Sequence, residues 1–326
     1  MRLPLLLLLP AALAAQPLFF RGVSFTAERG VRYDSPAAIA MLDRLRAYHV
    51  DSVALIPFAF TPRGETRIVF GSARSWESDE GVKRLAAAAR QRGMKVLLKP
   101  QLWPNQPVDL SDPARRRAWF TQYRALVIHY SQLAAAIQAT LLSIGTELPY
   151  ATAHETEFRT LIAAARAHFK GPITYAANHG EEFERIRFWG ELDYIGLDNY
   201  YPLPDNLDAR PLARKLEAVH RRYGKPLLFT EAGYAAAPDS HRTPWQDRSE
   251  RPVHLQAQAA AYEALLKAFV PRSWFAGVFW WKLGTNGFGG PQDNSMTPWG
   301  KPAMEILRRW YQPRRAINPT DSRPSP

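Results

Sequence analysis

The chain has 326 residues, of which 46% are hydrophobic and 22% charged, so it can bury a large core and is not intrinsically disordered. It contains no cysteine, which excludes disulfides, thiolate metal sites and a cysteine nucleophile. The 42 Lys and Arg residues exceed the 30 acidic residues, but they are scattered in small groups without a nucleic-acid-binding motif. We interpret the net charge of +12 as a solvated basic surface and expect no nucleic-acid partner; docking to an acidic polymer is the alternative.

The N-terminus has the pattern of a secretory signal. Met1-Arg2 is followed by the apolar run Leu3 to Leu9 and then by the small residues Ala11 to Ala15. The apolar run is too short to span a bilayer as a helix. We predict a signal peptide over residues 1–15 and an exported monomer, periplasmic or extracellular, with no membrane insertion. A buried N-terminal helix is the alternative.

Eight strands are predicted, and each is followed by a helix. In chain order the first four strand–helix units are Phe19 to Phe25 with Ser35 to His49, Val53 to Phe60 with Ser78 to Gly93, Met94 to Lys99 with Ser111 to Ala136, and the stretch from Leu141 that ends on Glu147 with His154 to Phe169. The last four are Pro172 to Ala177 with Glu181 to Trp189, Leu192 to Asp198 with Arg210 to Tyr223, the stretch from Leu227 that ends on Glu231 with Pro252 to Val270, and Phe275 to Trp281 with Lys301 to Tyr311.

This alternation, without a hairpin signal, predicts an α/β fold, a single (β/α)8 TIM barrel over residues 16–311. The Pro- and Arg-rich residues 312–326 are predicted to form a disordered tail. A doubly wound sheet is the structural alternative, but no Gly-rich phosphate loop follows the first strand.

Two of the strands end on a glutamate after the same pattern of apolar residues and threonine. These are Glu147, preceded by Thr146, and Glu231, preceded by Thr230. Each glutamate alone could cap a strand or form a salt bridge at the rim. In a barrel, however, the carboxyl ends of all strands meet on the face where enzymes of this architecture keep their chemistry. Two carboxylates across such a cleft are what glycoside hydrolysis requires, and each charge raises the proton affinity of the other.

Residues at other strand ends are suited to a sugar substrate. Aromatic faces can cover the apolar C–H patches of a pyranose, and the aromatic candidates are Trp103, Tyr200, Tyr201, Trp280 and Trp281. Polar side chains can form hydrogen bonds with its hydroxyls, and the polar candidates are Lys99, Gln101, Asn178 and Asp198. Because alternate strand residues point to opposite sides, we expect Trp281 in the pocket and Trp280 against the helices. Lys99 can equally form a structural ion pair.

Other chemistries lack their motifs. The eight His residues show no H-E-x-x-H spacing, and His154 and His179 are assigned to helix starts. There is no G-x-S-x-G elbow and no Walker loop. We therefore predict no cofactor and no metal site.

Ser143-Ile-Gly-Thr-Glu147-Leu and Phe229-Thr-Glu231-Ala-Gly resemble the fourth- and seventh-strand signatures of the clan of retaining (β/α)8 glycosidases. More narrowly, the chain resembles glycoside hydrolase family 113, the β-mannanase family. Further stretches that carry this resemblance are Arg21-Gly-Val-Ser-Phe, Val53-Ala-Leu-Ile-Pro, Val96-Leu-Leu-Lys-Pro100, Asp193-Tyr-Ile-Gly, Tyr200-Tyr-Pro-Leu203, Thr297-Pro298 and Gly300-Lys-Pro-Ala303.

The resemblance implies that Glu147 is the acid/base and Glu231 the nucleophile, with Tyr200 and Trp281 near the reacting sugar. It also implies that Thr146 occupies the position that contacts the sugar 2-hydroxyl, where most of the clan has Asn. Gln101 stands where close relatives are expected to have His. The implied activity is retaining hydrolysis of β-1,4-mannosidic or related β-hexosidic linkages in a polysaccharide or oligosaccharide. A barrel that binds a surface polysaccharide without turnover is the alternative from a different class.

Overall fold

Eight parallel strands form a closed barrel in the computed structural model, which describes residues 18–103, 107–248 and 250–312. Each strand pairs with its neighbours in sequence, and β8 closes the barrel on β1. The single TIM barrel predicted from the sequence is thereby confirmed, because a doubly wound sheet would stay open. The strands are β1 (Phe20–Thr26), β2 (Ser52–Leu55), β3 (Lys95–Leu98), β4 (Leu141–Thr146), β5 (Ile173–Asn178), β6 (Ile195–Asn199), β7 (Leu227–Ala232) and β8 (Phe275–Gly284).

A helix follows each of the strands. The helices are α1 (Pro36–Arg46), α2 (Asp79–Gln91), α3 (Pro113–Ala136), α4 (Glu155–His168), α5 (Glu181–Arg185), α6 (Arg210–Tyr223), α7 (Leu255–Phe269) and α8 (Pro302–Tyr311). One extra turn, Pro149–Thr152, lies between β4 and α4, and two short 3-10 turns cover Phe188–Glu191 and Ser240–Arg242. Every helix in these ranges is too short or too polar to cross a bilayer. The predicted signal peptide and residues 313–326 of the predicted tail lie outside the described residues.

Helix starts follow the capping residues. The Ser35 hydroxyl accepts a hydrogen bond from Ala38 N at 3.2 Å, and the Asp112 carboxylate accepts one from Arg115 N at 2.7 Å. The helix predicted from Pro252 begins later, because the His254 ring caps it by accepting from Ala257 N at 3.0 Å. The predicted helix Glu181 to Trp189 is also shorter, since the chain leaves the helical conformation at Ile186.

The second predicted strand is interrupted at Pro57, and the third ends at Leu98, one residue earlier than predicted. Pro57 and Pro100 lack the backbone N–H that a strand ladder needs, so the pairing is interrupted at both positions. Beyond the prolines, Phe58–Ala59 pairs with Gln101–Leu102 in a small second sheet. This extension carries Gln101 to the rim of the barrel.

Two layers of apolar residues form the core. The larger one fills the space between the strands and the helices. The smaller one fills the barrel interior with Phe20, Ala54, Leu97, Leu141, Tyr194, Leu228, Ala276 and Phe279. Gly22 belongs to this interior because a Cβ there would lie only 2.4 Å from the Phe279 ring. At the carboxyl ends of the strands the buried side chains are polar instead, which places charged groups in a largely dry environment.

Candidate active site

Seven of the predicted site residues line one cavity of about 580 Å³ at the carboxyl ends of the strands. Glu147 directly follows β4, and Glu231 lies within β7. The other five are Gln101, Trp103, Asn178, Tyr200 and Trp281. The candidates outside this lining are Lys99, Thr146, Asp198, Tyr201 and Trp280. The barrel thus brings both predicted catalytic carboxylates into one cleft.

Glu231 is held by two donors, one on each carboxylate oxygen. Lys99 Nζ donates to Oε1 at 2.5 Å, and the Tyr200 hydroxyl donates to Oε2 at 2.6 Å. The glutamate itself is only 5% exposed, so little water competes for these bonds. Charge-assisted hydrogen bonds of this kind are strong and fix the orientation of the carboxylate.

Lys99 is wholly buried and forms the ion pair considered as the alternative to a sugar contact. Besides Glu231, it reaches Asp198 Oδ2 at 3.4 Å. Burial alone would lower the pKa of Lys99, but the neighbouring Asp198 and Glu231 carboxylates outweigh burial and raise that pKa above its ordinary value. Lys99 therefore keeps its positive charge beneath the nucleophile candidate instead of lining the cleft.

Asp198 and Thr146 are likewise buried away from the cleft. Asp198 accepts hydrogen bonds from Lys99 and from the Thr230 hydroxyl, the latter at 2.7 Å. Burial and the adjacent Glu231 charge raise the pKa of Asp198. The Thr146 hydroxyl contacts Pro100 O at 3.4 Å. In this arrangement Asp198 and Thr146 support the site rather than contact a sugar.

Glu147 is held differently from Glu231. Its backbone has a left-handed φ of 50°, which costs a non-glycine residue on the order of 1 kcal/mol, and its N–H donates to Ala176 O at 2.9 Å. Burial, followed by the charges of Asp198 and Glu231, raises the pKa of Glu147 well above its ordinary value, although Lys99 opposes the shift. A raised pKa favours the protonated form that a general acid needs.

A buried network that the sequence interpretation missed supports the backbone at Glu147. The Glu182 carboxylate accepts from the Tyr175 hydroxyl at 2.6 Å and from Asn178 N at 2.7 Å. The Tyr175 hydroxyl in turn accepts from Leu148 N at 2.7 Å. Glu182 thus ties together the residue after Glu147 and the cleft residue Asn178. No sequence signal marks Glu182, because the helix that carries it has only five residues and shows no clear apolar face.

Glu182→Gln is expected to lower the free energy of unfolding by about 1–3 kcal/mol, since an amide nitrogen would face the Asn178 N–H and leave a buried donor unpaired. Chemical denaturation measures the loss. Glu181→Gln is the matched control, because Glu181 is exposed and forms an ion pair with Arg185 one turn away. Equal stability of the two variants would contradict a supporting role for Glu182.

The same variant has a predicted pH dependence. Burial raises the pKa of Glu182 from its ordinary 4.5 to about 7, so the folded protein binds more protons than the unfolded chain between these pH values. Stability contributed by this carboxyl therefore falls as the pH rises from 4.5 to 7. The stability difference between wild type and Glu182→Gln should shrink over that range, and a difference that widens would contradict the assignment.

Trp280 and Trp281 point to opposite sides of β8, as strand alternation predicts. Trp280 is fully buried, stacks on Tyr262 at 3.7 Å between ring centroids, and donates from its indole nitrogen to the Tyr311 hydroxyl at 3.0 Å. Trp281 is partly exposed and lines the cavity. The cavity therefore has an aromatic wall on its β8 side.

Further lining residues were not assigned from the sequence: Glu28, Phe58, His179, Trp245, Asp247, Lys282 and Met296. Lys282 forms an ion pair with Glu28 at 2.9 Å. Glu28 lies just beyond the first predicted strand and Lys282 just beyond the eighth, so slightly longer predicted strands would have pointed to both residues. His179, assigned to a helix start, lies directly after β5. Trp245 and Asp247 come from the long loop after β7, where no strand pattern marks them. Within the described ranges, no group of three or more His, Asp or Glu side chains is arranged to hold a metal ion.

The family model of Glycoside Hydrolase Family 113 matches residues 22–294. The chain is 28% identical to the GH113 β-mannanase AaManA of Alicyclobacillus acidocaldarius, with a TM-score of 0.81 over 90% of this chain and 97% of that one. A second GH113 β-1,4-mannanase structure is 25% identical, with a TM-score of 0.82 over 91% of this chain and 100% of that one.

A β-glucuronidase of Dictyoglomus thermophilum is 16% identical and has a TM-score of 0.62, covering 91% of this chain and 51% of that one, which is a likeness of fold alone. Among proteins with curated descriptions, none matches significantly. The family model covers most of the chain, including both glutamates of the cleft. The chain therefore belongs to Glycoside Hydrolase Family 113 and is a glycoside hydrolase.

Proposed function

We propose that the protein is a retaining, endo-acting hydrolase of β-1,4-mannosidic linkages, with Glu231 as nucleophile and Glu147 as acid/base. The observation that carries this assignment is the contrast between the two carboxyls in one cleft. Glu231 accepts hydrogen bonds from a lysine ammonium and a tyrosine hydroxyl, whereas the pKa of Glu147 is raised well above its ordinary value. One group is suited to attack and the other to donate a proton.

In the first step, Glu231 attacks the anomeric carbon and Glu147 gives its proton to the departing glycosidic oxygen. Lys99 and Tyr200 hold the attacking carboxylate in place. As the glycosyl–enzyme ester forms, Glu231 loses its negative charge. One of the neighbouring charges that raise the pKa of Glu147 is then gone, which lets Glu147 ionise and serve as a base.

In the second step, Glu147 removes a proton from water, and that water attacks the anomeric carbon to release the sugar with its original configuration. Retention requires the two carboxyls to be about 5–5.5 Å apart, which leaves no room for a water between them. Glu231 is regenerated as a carboxylate bonded to Lys99 and Tyr200.

Polar atoms in the cleft are available to bind sugar hydroxyls. Asn178 Oδ1 and Gln101 Oε1 are buried and have no hydrogen-bond partner among the described residues. A buried, unpaired polar atom costs about 1–3 kcal/mol, so a substrate hydroxyl that bonds to it is favoured. Trp281 offers an aromatic face in the same cavity, and Trp103 is 62% exposed at the β3 rim. These contacts suit a neutral polyhydroxylated substrate.

The choice of mannan rests on the relatives, since two GH113 structures similar to this chain are β-mannanases by name. We expect the purified protein to release reducing ends from mannan and glucomannan faster than from cellulose or xylan, and to shorten mannohexaose in preference to barley β-glucan oligosaccharides. Proton NMR of the first product should show the β-anomer before mutarotation.

A different result would contradict each part of the proposal. Faster cleavage of cellulose or xylan would refute the proposed substrate. Initial release of the α-anomer would refute retention. Complete lack of turnover on all four polymers, with bound polysaccharide detected by pull-down, would instead favour a non-catalytic barrel.

A further inference from the structure

A long loop between β7 and α7 contacts the loop after β6 on one side and the loop after β8 on the other. Arg242 in this loop makes two hydrogen bonds, of 2.7 and 2.6 Å, to the Asp205 carboxylate in the loop after β6. Asp247 accepts from Met296 N at 3.2 Å in the loop after β8. Trp245 lies between these two anchors and lines the cavity. The indole therefore belongs to a segment that hydrogen bonds hold in place on both sides.

The indole of Trp245 is backed by a second aromatic ring. It stacks nearly parallel on His179, with ring centroids 5.8 Å apart and an interplanar angle of 15°. His179 in turn contacts the edge of Tyr201 at 5.4 Å, and Lys215 covers Tyr201 at 4.6 Å. Burial lowers the pKa of His179, so its imidazole is neutral near pH 7 and does not repel an apolar surface.

One face of Trp245 remains open. Half of the residue surface is exposed although one ring face lies on His179. An indole that is packed on one face and open on the other loses little conformational entropy when a flat apolar surface covers its open face. The C–H face of a hexopyranose is such a surface, and its hydroxyl rim stays in contact with water.

The position of the Trp245–His179 pair in the barrel indicates which part of a substrate Trp245 would contact. His179 follows β5, the strand whose Ala176 carbonyl bonds the backbone of Glu147. Trp281 and Lys282 lie on β8, on the other side of Glu231 in the barrel order. With the reacting sugar against Trp281, the departing sugar extends past Glu147 towards β5 and therefore towards Trp245.

We propose that Trp245, backed by His179, is a binding platform for a β-linked hexose on the leaving-group side of the cleaved bond. The inference rests on the proposed glycosidase function of this cleft but not on mannan as its substrate. The platform contributes to the binding of the chain beyond the reacting sugar. It takes no part in bond cleavage itself.

The test compares Trp245→Ala, Trp245→Phe and wild type on a hexasaccharide and on a glycosyl fluoride. The hexasaccharide is mannohexaose or cellohexaose, whichever the wild type cleaves faster, so failure of the mannan assignment does not affect the comparison. The fluoride is the disaccharide fluoride of the same sugar, whose one-atom leaving group cannot reach the platform. Trp76→Ala is the control, because Trp76 is 45% exposed outside the cleft lining.

We expect Trp245→Ala to raise KM for the hexasaccharide about 2- to 10-fold, the range for loss of one stacking contact, and to leave kcat/KM for the fluoride within about two-fold of wild type. Trp245→Phe should recover part of the loss because it restores an aromatic face. Wild-type kinetics of Trp245→Ala on the hexasaccharide would overturn the platform. An equal loss on both substrates would also overturn it, since it would indicate an effect on the reacting sugar.

Discussion

Replacing Glu231 with alanine is expected to abolish turnover of mannan and of dinitrophenyl β-mannoside alike. Loss of a nucleophile removes the covalent route entirely, and losses on the order of 10⁵-fold or more are usual for such groups. A good leaving group does not help, because no intermediate can form. Initial rates on both substrates, measured by reducing-end release and by absorbance, give the result.

Azide makes this prediction specific to the role of Glu231. An azide ion in the space left by the carboxylate would attack from the nucleophile's side and give the α-mannosyl azide. Glu305→Ala controls for loss of a surface charge, because Glu305 is an exposed carboxylate on α8 that forms an ion pair with Arg308. Substantial hydrolysis by Glu231→Ala, or a β-mannosyl azide from it, would contradict the assignment.

Glu147→Ala is expected to lose about 10²- to 10⁴-fold in rate on mannan, the usual contribution of general acid–base catalysis. The loss should depend on the leaving group. Dinitrophenolate departs without a proton, so the variant should still form the glycosyl–enzyme from the aryl mannoside and show a burst of dinitrophenolate before slow hydrolysis.

Added azide should release that trapped intermediate as the β-mannosyl azide, because the ion enters where the Glu147 carboxyl stood. The comparison with Glu231→Ala is internal, since each variant predicts the opposite azide product. If the stereochemistry of the two products is exchanged, the two roles are exchanged. If Glu147→Ala loses the same factor in rate on the aryl mannoside as on mannan, the role of Glu147 as the acid is refuted.

The architecture and the carboxylate pair were accessible from the sequence because their signals are local. The strands that lead to Glu147 and Glu231 are short apolar runs that each end on a polar residue, and the barrel rule alone places such ends on one face. Alternation along β8 likewise separated Trp280 from Trp281. In each case the residue's environment follows from its own strand.

The contacts between distant strands were not accessible in this way. Nothing in the sequence around Lys99 shows whether it contacts a sugar or forms an ion pair, because its environment is set by Asp198 and Glu231 on other strands. Trp245 lies in a loop whose path depends on anchors such as Asp205, far away in sequence. Glu182 stands on a helix of only five residues, where the hydrophobic pattern is too short to reveal a buried face.

The pairing of the first strand with the last governs how the fold can form during synthesis. Phe20 aligns with Gly277 and Thr26 with Gly284, so the ring of hydrogen bonds stays incomplete until almost the entire chain has emerged. Before that moment β1 and β7 each present an unpaired edge, and Phe279, which fills the space beside Gly22, is missing. Contacts of such long sequence separation form slowly and leave open edges prone to self-association. Fragments that end before Phe275 should therefore aggregate rather than fold, and truncation at the last strand should be far more damaging than insertion in a surface loop.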